Sequence, residues 1–356
     1  DHQLRRRQQG YGRGGRMRIE SDAVEILSGI RFGKTLGSPI ALVIRNRDSQ
    51  NWKSKMAVEG GPQKVERVTI PRPGHADFAG FIKYGFDDIR NVIERASARE
   101  TAMRVACCTV VRKFLEEFGV FIGSHVFQIG SVHAKDRRRL DRIVAKNLRA
   151  SCGAYKVTES ADRSDVRMLE KESTRRAIQE IKRSKKSGDT LGGMFEVIIS
   201  GVPVGLGSYV QYDRKLDGLL AQALMSIQAV KGVEIGSGFE NAALPGSDVH
   251  DEFAVRNRII ARTSNRAGGL EGGVTNGQPI ILHAAMKPIS TLANPLRSVD
   301  MRTRKIVKAR YERSDVCAVP ACSVIGEAVI GPVIANAFLE KFGGDSIKEV
   351  RSHYRH

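Results

Sequence analysis

The run Val316-Cys-Ala-Val-Pro-Ala-Cys-Ser-Val-Ile-Gly-Glu-Ala-Val-Ile-Gly-Pro-Val-Ile-Ala-Asn-Ala-Phe-Leu-Glu-Lys-Phe342 reads as one long apolar helix, and its setting among the other elements decides the fold class. Pro320 suits the first turn, and Pro332 leaves a point at which the helix can kink. Upstream, Pro279–Met286, Met194–Ile199 and Val120–Val132 read as strands. Val24–Phe32 and Ile40–Arg45 form a hairpin-like pair around Gly33-Lys-Thr-Leu-Gly37. Asp213–Val230 is predicted as a helix, with Leu216, Leu219, Leu220, Ala223, Leu224 and Ile227 on one face. Asp87–Phe118 is helical in pattern, with Asp87 at its start and Gly119 at its end, and the pattern leaves open whether Ser97 interrupts it. Strands come in runs and helices in runs, without a βαβ rhythm, so the chain is predicted to be α+β with antiparallel sheets. The polar stretch Asp136–Asp189, with a helix at Glu170–Ser187 ending at Gly188, reads as a peripheral insertion within a single domain spanning 1–356.

Composition narrows the function. With 41% hydrophobic and 27% charged residues in 356, the chain has the makeup of a globular protein with a large core. No uninterrupted apolar run reaches the roughly 18 residues that a bilayer span needs. The five cysteines lack zinc spacing, and Cys107, Cys317 and Cys322 lie among Ala and Val as small buried hydrophobes. The expectation is a reducing cytoplasm, with no disulfide and no structural metal. The net charge of +19 points first to nucleic acid, but aromatics are only 6% and no nucleic-acid-binding motif stands out. An arginine-lined pocket for a polyanionic small ligand is the second reading. The third is solvated surface charge at Arg138–Arg142 and Lys182–Lys186.

Four segments carry chemistry. Pro71-Arg-Pro-Gly-His-Ala-Asp77 sets His75 on a loop stiffened by two prolines, and Arg95-Ala-Ser-Ala-Arg-Glu-Thr101 follows closely. An imidazole beside guanidinium groups suits proton transfer to a phosphorylated anion, while a surface loop followed by a charged helix is the competing reading. The opening Arg5-Arg-Arg-Gln-Gln-Gly-Tyr-Gly-Arg-Gly-Gly-Arg16 combines arginine forks with backbone amides that glycine leaves accessible to an anion. Each charge-assisted bond of that kind contributes about 1.5–3 kcal/mol. A disordered basic arm binding RNA is the rival there. Gly10, Gly12 and Gly15 match the letters of a dinucleotide fingerprint but lack the βαβ context. Asn265–Gly277 with Lys287-Pro-Ile-Ser-Thr291 can cradle a phosphate, or can be two ordinary turns. In Glu312-Arg-Ser-Asp315, Arg313 and Asp315 are close enough to share a site, and Asp315 also suits a helix cap.

Taken together, these runs resemble the chorismate synthase family. Its motifs occur in order as Arg6–Arg13, Pro71–Asp77, Glu94–Thr101, Gly205–Ser208, Asp213–Asp217, Met225–Gly236, Val249–Glu252, Asn265–Gly277, Lys287–Thr291 and Arg313–Ala321. Any one is weak, but ten in order over nearly the whole chain are specific. The resemblance implies a β-α-β sandwich with helices packed between antiparallel sheets, and a homotetramer. It implies a cytoplasmic lyase that eliminates phosphate from 5-enolpyruvylshikimate-3-phosphate in a 1,4-anti sense to give chorismate, needing reduced FMN without net redox change. NADPH would enter only indirectly, through an external flavin reductase.

Residue by residue, the resemblance makes His75 the proton donor to the departing phosphate and Asp315 a carboxylate beside the flavin. Arg7 and Arg13 match positions that bind substrate or NADPH, and Arg72 and Arg99 assist the substrate. Arg95, Ala96, Ser97, Gln228, Ala229, Gly272, Lys287, Pro288, Ile289, Ser290, Thr291 and Arg313 match flavin contacts. The family's leading Gly-Glu-Ser-His-Gly motif is absent, and His2 is not its equivalent, so the sequence is expected to start after that motif. The loop from Glu252 to Asn265 lacks the usual acidic run, and residues are expected to be missing there and around Gly60–Val68. A basic nucleic-acid-binding protein remains the rival from another class, with no membrane association expected in either case.

Overall fold

The computed structural model describes residues 1–15, 21–59, 65–134, 144–146, 148, 152–256, 258–312 and 314–354. Its centre is a five-stranded sheet made of β1 (Phe121–Ile129), β2 (Val132–His133), β3 (Gly193–Ser200), β4 (Val230–Ile235) and β5 (Ile280–Met286). The spatial order is β2-β1-β3-β5-β4, and every neighbouring pair is antiparallel. Strand alternation assigns the two faces. Ile122, Val126, Phe195, Val197, Ile199, Ile280, Leu282 and Ala284 are buried toward a helical layer.

That layer is built from α1 (His2–Gln8), α4 (Thr101–Glu116), α7 (Leu216–Met225) and α8 (Val319–Phe342). Beyond it, the strand pair Val24–Ile26 and Leu42–Ile44 packs Val24, Leu42 and Ile44 against the same core. The order sheet, helices, small sheet is the expected α+β sandwich. Helix α8 starts three residues later than the sequence run, with Pro320 in its first turn and Pro332 accommodated inside. By length and composition α8 could cross a membrane, which corrects the reading that no segment qualifies. However, 78% of its most apolar stretch is buried inside the fold, as a core helix would be.

The other elements follow their local chemistry with some exceptions. The stretch predicted as one helix from Asp87 breaks at Ala96-Ser97 into α3 (Arg90–Arg95), a turn of 3₁₀ helix at Ala98–Glu100, and α4. Ser97 accepts the Arg99 N–H at 3.2 Å and so caps the new start. The helix predicted over Asp213–Val230 ends at Met225, and Val230 opens β4 instead. Ala229, at φ +67°, turns the chain between them.

Within the polar stretch read as a peripheral insertion, the described helices bury apolar side chains against the rest of the fold. Its helix α5 (Gly153–Asp162) lies on the second face of the sheet with Ala154, Val157 and Ala161 fully buried. Gly123 of β1 permits this approach, since a Cβ there would lie 2.0 Å from the Ala154 carbonyl oxygen. Helix α6 (Lys171–Ser187) closes on Gly188 in the left-handed conformation and sends Ala177 and Ile181 inward. The expected burial of Cys107 is also corrected: it is exposed, and its neighbour Cys108 faces the core.

Candidate active site

Helix α1 delivers consecutive arginines to opposite duties. Arg6 turns into the protein and grips Glu327 of α8 with two hydrogen bonds of 2.8 Å. Arg7 points the other way: its Nε donates to Thr101 Oγ1 at 3.0 Å and its Nη2 to the Ala98 carbonyl at 3.1 Å. Its Nη1 is buried without a hydrogen bond, 3.6 Å from Asp22 Oδ2. Burial, helped by the nearby Arg13 and Arg99, lowers the Arg7 guanidinium to about 10, so it stays charged at neutral pH. Arg99 pairs with the other oxygen of Asp22. Arg13 Nη1 lies 3.2 Å from Asp315 Oδ2, and the Gly14 N–H donates to Asp315 Oδ1 at 2.6 Å.

The second half of the site is built on the proline-stiffened loop. His75 Nδ1 lies 2.5 Å from Asp77 Oδ1, and Arg72 Nε donates to Asp77 Oδ2 at 2.8 Å. Arg72 Nη1 donates to Thr291 Oγ1 at 3.2 Å, and Lys287 Nζ reaches the Gly74 carbonyl. Burial alone would raise the Asp77 carboxyl. Hydrogen bonds from His75 and Arg72 outweigh it and hold Asp77 well below the usual carboxylate range. His75, Arg72, Pro73, Phe78, Arg297 and Ser298 line an open cavity of about 510 Å³.

Contacts join the two halves into a closed circuit. Arg72 touches Thr291, whose carbonyl accepts from Ser314, the neighbour of Asp315. Asp315 holds Arg13 and Gly14. Arg7 meets the Ala98–Thr101 turn, where Glu100 accepts from Gln228 Nε2 at 2.6 Å. The Ala229 carbonyl accepts the Lys287 N–H at 2.9 Å, and Lys287 closes on Gly74 beside His75. A chain of contacts therefore links His75, Arg72, Arg7, Arg13, Arg99, Ser97, Gln228, Ala229, Lys287, Thr291 and Asp315. Ser290 joins beside Gly74, and Ile289 packs on the core.

Some expected members do not join. Gly272 sits in the turn between Leu270–Glu271 and Val274–Thr275 with Tyr209 as its neighbour, and among the described residues no contact links it to this circuit. Arg95 and Ala96 end α3 without a contact to the circuit among the described residues, and Pro288 lies in the loop between Lys287 and Ile289. Arg313 lies outside the described residues.

Sequence reasoning gave no role to Asp22, Glu100, Thr101 or Asp77, which orient the arginines, the amide and the imidazole. It also passed over Glu327. That residue is the sole charge in the apolar run from Val316 to Leu339, and this isolation was the available signal. Glu327 gathers Arg6, Arg112, Arg167, Ser124 and Thr158. On the opposite face of the sheet, a row of side chains crosses four strands: His125, Glu196, His283 and Glu234, at successive separations of 3.0, 2.8 and 2.9 Å.

Comparison with known proteins accords with this layout. A family model described as chorismate synthase matches residues 1–339. The chain is 56% identical to chorismate synthase of Chlorobium phaeovibrioides, an alignment that covers 100% of this chain and 89% of that protein. It is 58% identical to chorismate synthase of Pelodictyon phaeoclathratiforme, over 98% and 87% respectively. A crystal structure of chorismate synthase superposes with a TM-score of 0.76 at 43% identity, covering 99% of this chain and 86% of that one. The family these comparisons share is one of carbon–oxygen lyases acting on phosphates. The chain belongs to the chorismate synthase family. Nothing in the comparisons supports the nucleic-acid-binding alternative.

Proposed function

We propose that the circuit around His75 and Arg7 eliminates phosphate from 5-enolpyruvylshikimate-3-phosphate in a 1,4-anti sense, giving chorismate. The observation that carries the reading is a linked set of cations: Arg72 touches His75, Lys287 closes on the neighbouring Gly74, Arg13 holds Asp315, and Arg7 and Arg99 share Asp22. The substrate bears two carboxylates and a phosphate, and such a cationic shell suits that charge. His75 gives a proton to the departing phosphate, and a positioned acid of this kind contributes about 10²–10⁴-fold. The Nη1 of Arg7, with no hydrogen bond among the described residues, is a donor ready for an anionic group of the substrate.

The residues also fit reduced FMN. Gln228 Oε1 is buried without a hydrogen-bond partner, and the adjacent Ala229 keeps a left-handed backbone that an alanine rarely adopts. Gln228, Ala229, the Lys287–Thr291 loop and the Arg95–Ser97 turn would hold the flavin, and Arg313 and Gly272 are proposed with them. When bound, reduced FMN supplies electron density to the substrate without net redox change. Asp315, fixed by Arg13 and Gly14, is the proposed carboxylate beside it.

NADPH enters this scheme only through an external flavin reductase. Assembly as a homotetramer in the cytoplasm is part of the same proposal. The exposed apolar side chains Phe32, Phe253, Val255 and Ile260 on two hairpins support burial between subunits.

The test is an anaerobic assay with the substrate and chemically reduced FMN, following chorismate and phosphate in parallel. Equal release of both, absent with oxidised FMN, supports the reading. A folded, flavin-binding protein that forms neither product refutes it.

A further inference from the structure

The pair Gln228-Ala229 lies in the connection between α7 and β4, and the connection is held from several directions. Ala229, at φ +67°, turns the chain, and its carbonyl accepts the Lys287 N–H at 2.9 Å. Lys287 in turn closes on Gly74, in the loop that leads into α2 (Asp77–Tyr84). Two residues before Gln228, Ser226 Oγ accepts from Arg104 Nη1 at 2.8 Å. Arg104 Nε donates to Glu100 Oε2 at 2.9 Å, and Glu100 Oε1 accepts from Gln228 Nε2 at 2.6 Å. The start of α4 thus grips the connection twice, through Arg104 and through Glu100. The Glu100 N–H donates to the Ser97 carbonyl at 3.3 Å, which ties together two of the segments proposed to hold the flavin.

A side-chain amide has a donor end and an acceptor end, which exchange places when the group turns over. A carboxylate paired with a guanidinium only accepts, so the end of Gln228 that faces Glu100 is its NH2. The other end is then fixed as Oε1, and this oxygen is buried with no hydrogen bond among the described residues. An unmet buried acceptor is costly, so the arrangement favours a ligand that brings a donor to this point and disfavours one that brings a lone pair. In a flavin ring, N3 is the nitrogen that carries hydrogen in the oxidised and the reduced forms alike.

We infer that Glu100 is a positioning residue of the flavin site, fixing the amide of Gln228 so that Oε1 accepts the N3–H of the bound ring. The inference deepens the flavin reading above and rests on it. Glu100 acts through Gln228, and its effect is selectivity: a flavin methylated at N3 has no hydrogen to offer, and its methyl group faces an oxygen that stays unmet.

The test is binding to the full chain, measured anaerobically by equilibrium dialysis with chemically reduced FMN and with its N3-methyl analogue. Wild type is expected to hold FMN about 10- to 100-fold more tightly than the analogue. Glu100→Gln keeps the volume at that position but lets the amide of Gln228 turn over, so the preference is expected to fall to about threefold or less, with the loss on the FMN side. Gln228→Leu, which lacks the acceptor, is expected to lose the preference as well. A merely structural Glu100 would weaken both ligands equally and leave the preference intact in Glu100→Gln, and that result overturns the positioning role. Equal binding of FMN and the analogue by wild type overturns the acceptor assignment without any variant, so a variant that fails to fold does not protect it. Folded wild-type protein that binds neither ligand removes the flavin reading itself, whereas FMN bound without preference removes only this inference.

Discussion

Arg6 and Glu327, 321 residues apart in sequence, meet in a two-pronged ion pair with both contacts at 2.8 Å and both side chains buried. Arg112 and Arg167 share the same carboxylate, and Glu327 is held well below the ordinary carboxylate range. Burial works against that ionisation, and the surrounding arginines overcome it. Removing the carboxylate strands buried cations. Glu327→Gln is therefore expected to lower stability by about 3–5 kcal/mol, read from the denaturant midpoint at constant slope. A loss under about 1 kcal/mol would mean that the arginines find water instead.

Arg7 keeps one nitrogen without a hydrogen bond while two others fix its direction. A lysine in its place retains charge but not the fork. Arg7→Lys should weaken substrate binding by about 10- to 100-fold, equivalent to one charge-assisted contact, with the melting temperature little changed. Isothermal titration with a non-reactive analogue measures it, and unaltered affinity would exclude Arg7 from the anion site.

The row on the back of the sheet gives stability a pH dependence. Burial opposes charge on His283, but hydrogen bonds to Glu196 and Glu234 prevail and raise it above its ordinary 6.5. A raised histidine contributes fully below pH 6.5, and its contribution fades as pH rises through the folded-state value. Glu196 is lowered, against burial, by His125 and His283, so its contribution is present above its ordinary 4.5 and fades only in acid. Unfolding free energy should thus be highest between these limits and fall above pH 6.5. His283→Gln should flatten the alkaline decline, and an identical decline in the variant would contradict the assignment.

Gly123 lets α5 lie on the sheet. Gly123→Ala forces its Cβ against the Ala154 carbonyl and the Thr158 hydroxyl, and is expected to cost about 1–3 kcal/mol or more. Thermal melting measures the loss. No shift would mean that α5 can lift without penalty.

The sequence signals that succeeded were those that need few partners. The apolar run of α8 and the strands β3 and β5 were legible because their burial is written in continuous or alternating hydrophobicity. The end of α7 was not: Ile227 and Val230 continue its helical spacing, and the turn is made by Ala229, without glycine or proline to mark it. Helix α5 and Arg167 were assigned to the periphery because their polar neighbours face water, while the inward side of one helix carries little weight in average composition. At the site, His75 and the arginines were visible in local motifs. Asp22 was not, because only tertiary folding brings it between Arg7 and Arg99.

The pairing of Arg6 with Glu327 also orders assembly in time. Helix α1 emerges from the ribosome hundreds of residues before α8, so Arg6 waits for its carboxylate through most of translation. Arg7, carried on the same helix, takes its direction instead from Thr101 and Ala98, which are made far earlier. A nascent chain that stops short of α8 can therefore already aim Arg7, while Arg6 has Asp162 but still lacks the carboxylate that takes both of its forked nitrogens.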